Sequence, residues 1–165
     1  MRLFTTTLLA IAGMTLAGCA NDPRFADVEA YVVPPAKDRG RIYFYNDLVS
    51  SGFLVIPKIH VNEQSVGACQ PRGVFFLDVA PGTHEMHASN KSVHDQKRKE
   101  PSVFVTIAAG EERFVRCRIN RGPLIGKSSA HFGDGVLELV ATDEGRAKSR
   151  KLSFSGSAAQ ITSAE

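Results

Sequence analysis

Val74-Phe75-Phe76-Leu77-Asp78-Val79, then Ala80-Pro81-Gly82, then Thr83-His84-Glu85-Met86-His87-Ala88 is the stretch that decides the fold. A short run rich in Val and Phe stops at a Pro-Gly pair suited to a tight reversal, and a second run resumes at once. Neighbouring side chains on a strand point to opposite faces, so Phe75, Leu77 and Val79 share one face and Val74 and Phe76 the other. A strand apolar on both sides is expected to be covered on both faces.

The same signature extends in both directions. From Gly40 to about Ala141, runs rich in Val, Ile, Phe and Tyr are broken by Gly, Pro, Asn or Asp. Strands are expected at Arg41–Tyr45, Lys58–Val61, Ser65–Cys69, Val74–Val79, Thr83–Ala88, Ser102–Ala108, Glu112–Ile119 and Val136–Ala141. Asn62-Glu63-Gln64, Ala80-Pro81-Gly82 and Ala109-Gly110-Glu111 are each expected to close a hairpin. Val103, Val105 and Ile107 form one core face. Val115, Cys117 and Ile119 form another, opposed by Phe114, Arg116 and Arg118. The spacing predicts an all-β fold, a small antiparallel β-sandwich of about seven to eight strands. No βαβ unit is legible. One helix is expected, over Asp143–Arg150 behind Thr142 as N-cap, with Gly145 weakening it. The Ser/Ala-rich end after Phe154 has no apolar period and is expected to be loose.

Composition agrees with one folded domain. The 165 residues are 43% hydrophobic and 22% charged, which excludes the disordered and collagenous classes. A net charge of +3 does not suggest wholesale nucleic-acid binding. With three Cys, five His and no Trp, the chain also lacks the ligand density of a metal-dominated fold.

The N-terminus carries an address. Met1-Arg2 precedes an apolar run from Leu3 to Leu16, followed by Leu16-Ala17-Gly18-Cys19. The run falls short of the roughly 20 residues that span a bilayer and fits an export signal. Its end resembles the lipobox of bacterial membrane lipoproteins. That resemblance implies a diacylglyceryl group on the Cys19 thiol, removal of residues 1–18, and membrane lipid as a permanent partner. In that family an Asp after the lipidated Cys retains the protein in the inner membrane. Ala20 stands here, which implies the outer membrane, facing the periplasm. Residues 19–39, with Pro34-Pro35, then read as a lipidated tether that reaches about 60 Å if fully drawn out. Residues 40–142 read as the sandwich, and 143–165 as a short helix or loose tail.

A second resemblance rests on Gly40-Arg41-Ile42-Tyr43-Phe44-Tyr45, Ile59-His60-Val61-Asn62, Val66-Gly67, Leu77-Asp78-Val79-Ala80-Pro81-Gly82-Thr83-His84 and Ala109-Gly110-Glu111. The succession is similar to an uncharacterised bacterial lipoprotein domain of the PEGA, transthyretin-like or carboxypeptidase-regulatory-like kind. It implies a hairpin sandwich used as an envelope module. Glu63 stands where such domains often place Gly in the Val-Asn-Gly turn.

Few residues suggest chemistry. With Cys19 lipidated, Cys69 and Cys117 remain, in an oxidising compartment; either they form a disulfide or Cys117 sits reduced in the core. His84 and His87 are three apart, which on a strand sends them to opposite faces, so they form no metal pair. His84 is expected to bond the turn after Pro81-Gly82. His60, His94 and His131 form no spacing pattern. Gly122-Pro123-Leu124-Ile125-Gly126-Lys127-Ser128 has the wrong glycine spacing for a nucleotide loop. Lys91, Lys97, Arg98 and Lys99, with Arg116 and Arg118 along the strand expected at Glu112–Ile119, form a candidate contact surface for phosphate-rich headgroups or an acidic wall polymer. Nucleic acid is not expected, because no aromatic residues interleave with these charges. No cofactor, metal site or catalytic residue is expected. The function anticipated is a non-enzymatic, membrane-anchored lipoprotein serving as an envelope binding or accessory module, in contact with an envelope protein or cell-wall polymer. A small-ligand or metal-binding carrier is the alternative, and an envelope hydrolase a distant third.

Overall fold

The computed structural model describes residues 22–48, 56–90, 100–120 and 134–156. Helix α1 spans Phe25–Val28 and runs into a 3-10 turn at Glu29–Tyr31. The strands are β1 (Gly40–Tyr45), β2 (Lys58–Val61), β3 (Gln64–Ala68), β4 (Gly73–Val79), β5 (Gly82–Ser89), β6 (Ser102–Ile107), β7 (Glu112–Asn120) and β8 (Asp134–Val140). Helix α2 (Thr142–Ser149) and β9 (Ser153–Phe154) close the described chain. A five-stranded sheet has the order β8-β7-β1-β4-β9 and a four-stranded sheet the order β3-β2-β5-β6. The all-β sandwich is therefore as expected, with one difference in detail. β1 pairs in parallel with β7, and β4 with β9, so the larger sheet is mixed rather than purely antiparallel.

Only one of the three anticipated hairpins is one. Asn62 and Glu63, at φ 46° and 68°, form a two-residue turn that pairs Val61 with Gln64. The other two reversals carry the chain from one sheet to the other: Ala80-Pro81 leads from β4 to β5, and Ala108–Glu111 from β6 to β7. Burial explains the difference. Along β4 both faces are apolar, so it belongs in a sheet covered on both sides. β5 buries Met86 and Ala88 on one face only, which suits a sheet with one face in water.

Two cores result. Ile42, Phe44, Ile59, Phe75, Met86, Val105, Ile107, Val115 and Leu137 fill the space between the sheets. Behind the larger sheet, Tyr43, Tyr45, Val74, Phe76 and Phe114 are covered by Phe25, Leu152 and Phe154. Rings interlock there: Tyr43 stacks on Phe114 at 4.7 Å between centroids, and Phe25 meets Tyr43 edge-on at 5.7 Å.

That second core corrects the expected domain limits. From Pro23 onward the segment anticipated as a tether is docked on the sheet: Phe25 is 2% exposed, and its amide donates to the Leu152 carbonyl at 2.7 Å. The Phe154 amide donates in turn to the Pro23 carbonyl at 2.7 Å. Residues 143–154 are likewise part of the fold. The apolar reverse side of β1, β4 and β7 would otherwise face water, and Phe25, Leu152 and Phe154 cover it. Helix α2 begins one residue earlier than expected, with Ala141 rather than Thr142 at the N-cap and no side-chain cap. Gly145 lets it lie directly on Phe114, where a Cβ would overlap the ring's own Cβ.

Candidate functional site

The exposed face of the four-stranded sheet holds the densest arrangement of chemically capable groups. Strand register lines up Ser65, His60, His87 and Ser102 across β3, β2, β5 and β6. On directly opposed residues of β2 and β5, the His60 and His87 rings stack at 4.8 Å with 9° between their planes. Glu100, just before β6, brings its carboxylate to 3.7 Å from His87 Nε2, and only 5% of its side chain is exposed. Burial, and then the neighbouring His87, lower the His60 pKa from its ordinary 6.5. Its Nδ1 is buried and has no hydrogen-bond partner.

Beside this pair lies a cleft of about 470 Å³ lined by Glu85, Glu100, Pro101, Ser102 and Phe104. Phe104 is 63% exposed, on the strand that forms one edge of the sheet. An exposed aromatic ring, stacked imidazoles and a buried carboxylate lie together on this face, apolar at one side and polar at the other. Among the described residues, no group of three or more His, Cys, Asp or Glu is placed to hold a metal ion.

The pairing of His60 with His87 had no sequence signature, because it depends on the β2–β5 register. For His84 the structure matches expectation. Its Nε2 lies 2.8 Å from the Ala80 carbonyl and its Nδ1 2.9 Å from Asn62 Nδ2. A carbonyl only accepts, so Nε2 carries the proton and Nδ1 accepts from Asn62. Its role is to fasten the β4–β5 connection to the β2–β3 turn.

Of the anticipated basic contact surface, the described residues include Arg116 and Arg118, and each is paired with a carboxylate. Arg116 is held by Asp47 through two bonds, from Nε at 3.0 Å and Nη2 at 2.8 Å, with 18% of its side chain exposed. Arg118 pairs with Glu138 at 3.0 Å. Both charges are compensated by carboxylates that arrive from other parts of the chain. Lys91, Lys97, Arg98 and Lys99 lie outside the described residues, as do the leader, Cys19, His94, His131 and Gly122–Ser128.

Cys69 and Cys117 form a disulfide with Cα atoms 6.1 Å apart. It joins the end of β3 in the smaller sheet to β7 in the larger.

Sequence reasoning also missed Arg41. It lies opposite Asp78 in the β1–β4 register, 3% exposed, and donates to Asp78 at 2.6 and 2.8 Å and to the Val33 carbonyl at 2.6 Å. Its guanidinium lies 3.9 Å from the centre of the Phe76 ring. Burial pulls its pKa down, the bonds to Asp78 push it up, and the balance is a raised value. Tyr43, under α2, has its phenol pushed up to about 12 by burial and then by the charge of Glu112. Glu112 is also bound by Arg146 of α2. These ionic groups tie the covering layer to the larger sheet.

A family model described as a protein of unknown function (DUF2846) matches residues 36–130. No curated protein and no solved structure matches the chain.

Proposed function

The chain belongs to the DUF2846 family of proteins of unknown function, and we propose that it is a non-enzymatic, lipid-anchored accessory protein of a bacterial envelope. The observation that carries this is the placement of Leu16-Ala17-Gly18-Cys19 where the apolar run from Leu3 ends. A thiol there, preceded by small residues, fits acylation of Cys19 and removal of residues 1–18. Ala20 favours delivery to the outer membrane with the domain in the periplasm. We read the sandwich as one of the PEGA or transthyretin-like kind, used to contact another envelope component. Phe104 and its cleft, on an edge strand, support such contact with an envelope protein or wall polymer.

The test is Cys19→Ser in the full chain. Anchoring by acylation predicts that the wild type fractionates with membranes and the variant appears in the soluble periplasmic fraction. Equal membrane retention of both would sink this function.

A second reading, a small-ligand carrier, draws on the stacked His60–His87 pair beside Glu100 and the adjoining cleft. It predicts that His87→Ala abolishes binding of imidazole-contacting ligands in a thermal-shift screen. An unchanged screen removes that reading.

A further inference from the structure

We propose that the corner where β4, β9 and the N-terminal segment meet is the membrane-facing surface of this protein, docking on anionic phospholipid headgroups through Arg24, Arg72 and Lys151. The inference rests on the lipid-anchored function proposed above and adds an orientation to it.

The leash is short. Because Pro23 is already tied to Phe154, only the span from Cys19 to Pro23 separates the acylated residue from the folded protein. Fully extended, that span reaches at most about 14 Å. The polar layer of a bilayer leaflet takes up roughly 5–7 Å of this. What remains is about one Debye length at physiological salt, so charges around Pro23 act on the headgroups with little screening. A longer tether would have left the domain free to tumble.

Those charges are basic. Arg24 bridges Ser153, the Ser153 amide donates to the Arg72 carbonyl at 2.8 Å, and Lys151 lies two residues before Ser153. All three are exposed. None forms an ion pair with another described residue, whereas neighbouring Arg150 is paired with Glu29 at 3.0 Å. Asp22 is the acidic residue nearest in sequence to this corner, and three cations outweigh it. Arg72 is held at φ 53°, in a tight turn that presents it beside β9.

The opposite edge of the molecule is distinguished by topology. β8 lies at the far end of the five-stranded sheet from β9, and β6, which carries Phe104, packs against β8. At about 4.8 Å between strands, that edge is roughly 19 Å from β9. Docking by the basic corner would therefore hold Phe104 and its cleft away from the lipid, open to a partner.

The experiment uses the full-length lipoprotein in membranes containing phosphatidylglycerol, with a photoreactive phenylalanine analogue at one of two positions. Gln70 is exposed, and its carbonyl accepts from the Gly73 amide in the turn that carries Arg72. Phe104 is the distal control. Phospholipid adducts are expected at position 70, with about tenfold fewer at position 104. Arg24→Glu with Lys151→Glu, with an unchanged urea midpoint showing an intact fold, should cut the yield at 70 by roughly tenfold or more. The mass of the N-terminal peptide from the same sample reports acylation of Cys19. Acylated protein with equal yields at 70 and 104 overturns the orientation and leaves the anchor standing. Acylated protein whose yield ignores the charge reversal overturns docking through these cations. A Cys19 without lipid overturns the anchor and the orientation together.

Discussion

Arg41 is a buried cation whose fate depends on one partner. Asp78→Ala would leave its guanidinium inside the covering layer without a carboxylate partner, held by the Val33 carbonyl, the Tyr43 phenol and the Phe76 face. Asp78 is itself about a third exposed, so water can partly replace it, and the expected loss is about 2–3 kcal/mol. Urea denaturation should show this as a lower midpoint at unchanged slope. His60 gives a pH prediction of definite sign. Its folded pKa is below 6.5, so on acidification the unfolded chain takes up the proton first. Stability from this group is present above 6.5 and falls as pH drops through the folded value. Between neutrality and about pH 5, His60→Gln should flatten the decline in stability measured by urea titration. At this scale the sequence was informative where contacts are local. His84 was legible because its partner is the turn four residues back. Arg41 and His60 were not, because their partners are set by strand register. Glu63 shows the converse: the β2–β3 turn takes left-handed backbone at both central positions even without glycine, since β2 and β3 already pair on either side.

At the scale of elements, all eight longer strands were legible, because most bury at least one face and the alternation reports it, while β3, which buries no residue fully, is marked by the turn before it. Connections were less so. Pro81-Gly82 and Gly110 mark reversals of direction, but a reversal alone does not say whether the next strand pairs with the last or crosses the core. The discriminating signal was present in the two-sided apolar pattern of β4 against the one-sided pattern of β5. The short covering pieces, Phe25–Val28 and Ser153–Phe154, are too brief to show any period, and they exist because Val74, Phe76 and Phe114 need cover. Gly145 looked like a flaw in α2 and is instead its docking point. On an exposed helix Gly→Ala would stabilise by about 1 kcal/mol. Here the added methyl meets Phe114, so Gly145→Ala should destabilise by roughly 1–3 kcal/mol, seen as a lower thermal midpoint. A stabilised variant would mean that α2 does not rest on β7.

For the whole molecule, the Cys69–Cys117 bond closes a separation of 48 residues across the two sheets. Its removal as the double Ser variant should cost about 4 kcal/mol in the chain-entropy account. That is a large share of the roughly 5–15 kcal/mol that holds a typical domain together, so the midpoint in urea should drop steeply. Such a bond belongs in an oxidising compartment, which agrees with export. Placement in the cell is the claim from which partner, orientation and role all follow, and it was read from a handful of residues at the N-terminus. Mass spectrometry of the native protein extracted from membranes tests it most directly. The account predicts a chain that starts at Cys19, lacks residues 1–18 and carries diacylglyceryl on its sulfur; a water-soluble chain with Met1-Arg2 and the apolar run intact would contradict it.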